Sequence, residues 1–174
     1  MTLQQYNQYI RNLANSGSPD PYLNAGPEHA AIVLSNLFNI AEGYVALYAG
    51  NLNGDISKNM NYQGAIFNFL VRGGKLDILL EDYDESAPLV SNLISYQKNQ
   101  GFKIKIKQHD YVVEYIETGE KVHFAVADDR AYRIEHDTDN YLAMGSFNNP
   151  EIAVPWRIDF YEMFNDPETK TIVA

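Results

Sequence analysis

Four histidines occur in the 174-residue chain, and histidine is the side chain that most readily exchanges a proton near neutral pH. His123 stands out among them because it sits in an apolar run, Val122 to Ala127, that reads as a strand. Lys121 lies two residues before it, an even spacing that puts both side chains on one face of a strand. Arg130 follows seven residues after it, and Gly145-Ser146-Phe147-Asn148 gathers small and polar groups at the end of another apolar run. Each feature has a plain structural reading as well. His123 fits a partly buried strand histidine with one hydrogen-bond partner. Gly145 to Asn148 fits a strand that runs into a helix, with Asn148 or Asn149 capping and Pro150 in the first turn.

Other clusters suggest weaker chemistry. Lys103, Lys105 and Lys107 line one side of a strand and could hold an anion or a nucleic-acid backbone. The usual role of such a row is a solvated face or an edge guarded against aggregation. Glu81, Asp82, Asp84 and Glu85 form an acidic loop, and Asp128, Asp129, His136, Asp137 and Asp139 crowd two neighbouring turns. Carboxylate-rich turns are common without a metal, so no metal ligand and no cofactor is assigned. The chain has no cysteine, which excludes disulfides, thiolate catalysis and cysteine-held zinc. Dinucleotide-binding, Walker and nucleophile-elbow glycine patterns are all absent.

Composition bounds the remaining classes. At 45% hydrophobic and 21% charged, the chain can bury a core of its own. A formal charge of -10 works against nucleic acid and anionic membranes as partners. The polar, Tyr- and Gln-rich start lacks the apolar centre of a signal peptide, and no stretch reads as a membrane span. The expectation is a soluble, cytoplasmic protein.

The elements that must position these residues follow from periodicity. Leu3, Tyr6, Ile10 and Leu13 predict an amphipathic helix ended by the Gly- and Pro-rich loop after Asn15, and residues 1–26 are set apart as an N-terminal helix and loop. Residues 27–174 form the main domain. There Pro27 opens a helix, Tyr44 to Tyr48 is a buried strand, and Ala49 to Asn59 is a polar loop. A helix over Asn61 to Val71, a strand over Leu76 to Leu80 and a helix from Pro88 to Gly101 continue the alternation. Strands are then predicted over Phe102 to Lys107, Tyr111 to Glu117, Val122 to Ala127, Ala131 to Glu135 and Tyr141 to Ser146. A final helix carries Trp156, Phe160 and Phe164, starting at Pro155 or, if kinked, at Pro150. The fold class is α/β, a mixed β-sheet sandwiched between helices with meandering strands on one side.

Two segments resemble the phospholipase-D-like (HKD) superfamily, and together the likeness spans roughly residues 27–165. Tyr44 to Asp82 is similar to the first half of that domain, with a helix that ends Val71-Arg72-Gly73-Gly74-Lys75 before a strand. His123 to Asn148 is similar to the half that carries the HxKx4D and GSxN motifs. On this resemblance His123 stands at the nucleophile position, with Ser146 and Asn148 on the phosphate. The lysine position is Ala125, and the aspartate position is Arg130. Asp128 and Asp129 come one or two places early, and the two motifs lie farther apart than usual. Asn149-Pro150-Glu151 is similar to the form seen in degenerate relatives.

The family's chemistry implies attack on phosphorus by a histidine, a covalent phosphohistidine and a lysine that neutralises the phosphate oxygens. Alanine offers that oxygen anion nothing. Lys121 and Arg130 are the phosphate-binding substitutes, with Arg133 and Arg72 as further cations that could reach in. The expectation is therefore a domain with a decayed HKD motif: a pseudoenzyme that serves as an anion-binding or protein-interaction and assembly module. The alternative is a dimeric, metal-independent phosphodiesterase or nuclease. The paired motifs of the family imply a homodimer in either case, and a protein partner or a small anionic ligand in the first.

Overall fold

A computed structural model of the chain describes residues 1–110, 112–115 and 117–174. Its helices begin and end where local chemistry favours it. Helix α1, Leu3–Ser16, is opened by a capping box between Thr2 and Gln5 and closed by Gly17 in a left-handed conformation. Pro27 occupies the first turn of α2, Pro27–Ile40, and Asn59 caps α3, Met60–Val71, through its side chain. Pro88 opens α4, Pro88–Gln100, and left-handed Gly101 ends it. The last helix, α5, runs over Pro150–Phe164, so it starts at Pro150 and carries Pro155 within it.

Among the described residues, eight strands form one mixed sheet. They are β1 (Tyr22–Asn24), β2 (Tyr44–Ala49), β3 (Lys75–Leu80), β4 (Lys103–Gln108), β5 (His123–Ala127), β6 (Ala131–Asp137), β7 (Leu142–Ser146) and β8 (Lys170–Val173). Their order across the sheet is β1-β7-β6-β5-β2-β3-β4-β8. The β2, β3 and β4 strands are parallel and joined through α3 and α4, as parallel neighbours require a crossover. All other neighbouring pairs are antiparallel, with β5, β6 and β7 forming the expected meander.

Alternation along the strands divides the interior in two. Val45, Leu47 and Ala49 of β2, with Ala125 and Ala127 of β5, pack beneath α1 to α4. Ala46 and Tyr48, with Phe124 and Val126, pack against Ala153, Phe160 and Phe164 of α5. Side chains on opposite faces of each strand thus serve different layers. No helix among the described residues is long and apolar enough to cross a membrane.

Several elements differ from the sequence reading. The strand expected over Tyr111 to Glu117 includes Tyr111 and Ile116, which lie outside the described residues. Within the rest of that segment, Glu114 forms an isolated antiparallel bridge with Lys121. Two edge strands were not foreseen. The β1 strand pairs with β7, and Tyr6 of α1 donates its hydroxyl to the Leu23 carbonyl of β1 at 2.8 Å. With Ile10 fully buried against the same core, α1 and β1 pack as parts of the sandwich. The β8 strand pairs with Ile106, Lys107 and Gln108 of β4, so Lys107 does not lie on an open edge, while Lys103 and Lys105 are exposed beyond that pairing. Lys107 donates to the Phe164 carbonyl at the end of α5 at 2.7 Å and lies over the Phe164 ring.

Candidate functional site

The β2 and β3 strands end side by side, and β5 starts next to them from the opposite direction. Ligand sites in open α/β sheets favour this carboxyl end of the parallel strands. His123 is the first residue of β5, with its ring against Gly50 just beyond β2. Glu81 follows β3 directly, and its amide donates to the Ala49 and Gly50 carbonyls. Glu135 lies opposite His123 in the β5–β6 register, two residues from Arg133 on the same face. Strand pairing alone thus brings together one histidine, two carboxylates and one guanidinium.

Their charges alternate along a line. Lys121 Nζ pairs with Glu81 Oε2 at 2.7 Å, and Glu81 Oε1 lies 2.9 Å from His123 Nε2. On the other side of the ring, His123 Nδ1 is 3.5 Å from Glu135 Oε1. Glu135 Oε2 accepts from Arg133 Nη2 at 2.6 Å, and Arg133 Nε donates to Asn24 Oδ1 at 3.0 Å. Tyr48 donates its hydroxyl to Glu81 and accepts from the Val113 amide. Arg133 and Glu135 are each only 4% exposed, so this end of the line is inside the protein.

Protonation follows from these contacts. Burial alone would lower the His123 pKa, but the Glu135 and Glu81 carboxylates outweigh it and hold the pKa above its ordinary value. Burial would raise the pKa of Glu81, yet His123 and Lys121 hold it below the usual carboxylate range. Glu135 is also held low, because His123 and Arg133 together outweigh its burial. The arrangement therefore favours an imidazolium clamped between two carboxylates.

The other residues singled out in the sequence lie elsewhere. In register, His123 pairs with Glu135, which pairs with Ala143, whereas Ser146 pairs with Tyr132, opposite Val126. Ser146 is thus two strands over and three residues along from His123, with β6 between them. Its hydroxyl is fully buried and donates to the Pro19 carbonyl, and Asn148 donates to the Gly17 carbonyl. Both side chains fasten the loop after α1 to the sheet. Gly145 is required because the Tyr22 phenol crosses over it: a Cβ there would come within 2.3 Å of the Tyr22 hydroxyl and of the Tyr132 carbonyl. Asn149 and Pro150 begin α5.

Arg130 donates to the Ile40 carbonyl in the turn at the far end of β5, and Arg72 binds the Phe38 carbonyl near the end of α2. Of the proposed cations, Lys121 and Arg133 are therefore the two near His123. Arg133 lies directly across from Ala125, beside the place where the resemblance expects a lysine. Asp128 binds the amides of Glu42, Gly43 and Tyr44, which ties the β5–β6 turn to the start of β2. The partners that sequence reasoning missed are Glu81 and Glu135. Glu81 was one of four acids in a loop, and Glu135 looked like the end of a strand.

No family model matches the sequence, and no curated protein matches it. Solved structures do. The archaeal chromatin protein TrmBL2, whose structure shows a novel mode of DNA binding, aligns over 97% of this chain and 62% of its own at a TM-score of 0.64 and 15% identity. This chain therefore spans less than two thirds of TrmBL2. Nuc from Salmonella typhimurium, a phospholipase D family member, aligns over 89% of this chain and 100% of its own, at a TM-score of 0.58 and 15% identity. NucT from Helicobacter pylori aligns over 88% and 99%, at a TM-score of 0.62 and 14% identity. The fold is phospholipase-D-like.

Proposed function

We propose that this phospholipase-D-like domain is a non-catalytic binding module, with its cleft at the start of β5. The observation that carries the reading is the clamp on His123. A nucleophilic imidazole needs a free Nε2 lone pair aimed at phosphorus, whereas this Nε2 faces Glu81 at 2.9 Å. A phosphodiester entering here would meet Glu81 and Glu135 beside the ring. Lys121 and Arg133 are each already paired with one of these carboxylates. Transition-state stabilisation requires cations preorganised for the developing charge, and here carboxylates occupy them.

The catalytic alternative keeps one point in its favour, the guanidinium of Arg133 beside Ala125. The DNA binding described for TrmBL2 does not carry over readily to a chain of formal charge -10. The test is hydrolysis of bis-p-nitrophenyl phosphate and labelled DNA by wild type and His123→Ala, with and without EDTA. The expected result is no turnover that depends on His123. Turnover that survives EDTA and vanishes in the variant would overturn the reading.

A further inference from the structure

A cavity of about 200 Å³ opens beside His123 on the face covered by α2 and α3. Leu34, Leu47, Leu52 and Ile56 form an aliphatic part of its wall, beside the rings of Tyr62 and Tyr141. Its polar end is His123, Arg133 and Glu135. The size suits a small molecule, since an apolar cavity of about 150 Å³ accommodates benzene.

The polar end is incompletely satisfied. Arg133 commits Nε to Asn24 and Nη2 to Glu135, and its Nη1 makes no hydrogen bond among the described residues. A guanidinium that is 4% exposed and lines a cavity is a rigid donor held ready for an acceptor. Charge narrows the choice. Over the whole line, Lys121, a protonated His123 and Arg133 face the two carboxylates of Glu81 and Glu135, which leaves one positive charge in excess. A dianion would exceed the available charge.

We infer that the cavity binds a small organic monocarboxylate, its carboxylate on the Nη1 of Arg133 and its short alkyl chain against Leu34, Leu47, Leu52 and Ile56. This inference rests on the non-catalytic reading of the same cleft and adds the class of ligand.

The test is isothermal titration of the full chain with butanoate, butanamide and inorganic phosphate at pH 6, repeated with Leu52→Trp, which fills the cavity without touching the charged residues. Butanoate should bind at least about tenfold tighter than butanamide, the ratio set by one charge-assisted hydrogen bond. Binding should be lost in Leu52→Trp while the circular dichroism spectrum is retained. Absence of butanoate binding, equal binding of the amide, tighter binding of phosphate, or unchanged binding by a folded Leu52→Trp would each overturn the inference. The two readings fail separately. His123-dependent hydrolysis refutes the non-catalytic proposal, whereas an inert protein that ignores butanoate refutes only the choice of ligand.

Discussion

Replacing Glu135 with glutamine tests whether the charge line is a structural unit. The substitution keeps the shape and removes the charge. It leaves the Arg133 guanidinium buried, with Asn24 Oδ1 and a neutral amide in place of a carboxylate at 2.6 Å. Removing one partner of a buried ion pair costs about 3–5 kcal/mol, because the remaining charge stays desolvated. For a chain of this size, each kcal/mol moves Tm by about 2–4 °C, so the expected drop is about 6–20 °C. Glu81→Gln is the internal control. Its partner Lys121 has a side chain 43% exposed and can regain water, and its other partner His123 keeps the Glu135 carboxylate, so the loss should be smaller, about 1–2 kcal/mol. The double replacement Arg133→Met with Glu135→Leu should recover most of the stability, since both desolvation costs disappear together. Urea unfolding followed by circular dichroism reads all four variants, wild type included, provided the denaturant slope stays constant. If Glu135→Gln costs less than about 1 kcal/mol, the pair is not buried as described and the reasoning fails.

Two further outcomes follow from the same geometry. His123 has a raised pKa, so its contribution is fully present below its ordinary value of 6.5 and is lost as pH rises through the folded value. Glu81 and Glu135 have lowered pKa values, so theirs is present above 4.5 and lost as pH falls through the folded values. The stability difference between wild type and His123→Gln should therefore peak between pH 4.5 and 6.5; a peak above pH 8 would contradict the clamp. Gly145→Ala should destabilise by about 1–3 kcal/mol through overpacking. Adding Tyr22→Phe should not rescue it, because the Tyr132 carbonyl would still lie 2.3 Å from the new Cβ; full rescue in thermal melts would show that the phenol alone is the obstacle.

Much of the architecture was legible from local pattern. Helix limits are written in Gly17, Pro27, Pro88 and Gly101, whose conformational preferences act within a turn, whereas the caps Thr2 and Asn59 were not singled out from the sequence. The strands of the main body are written in alternation or in short apolar runs, and a resemblance in two segments led to the phospholipase-D-like fold. The three-residue β1 and four-residue β8 were not legible. Strands that short lack a repeat to read and exist only because a neighbouring edge has unpaired amides and carbonyls.

The site divides in the same way. His123 and Lys121 were visible because two residues on one strand share a face whatever the strand pairs with. Ser146 and Asn148 were grouped with His123 by motif, yet β6 lies between them, and strand order is a property of the whole sheet. Glu135 meets the ring from β6 and Glu81 from the residue after β3, 42 residues away in the chain. Sequence alone determined which side chains could carry charge and which way each would face along its own element. Only tertiary structure decided which charges meet, because contacts across a sheet depend on register and strand order, and neither leaves a local period in the chain.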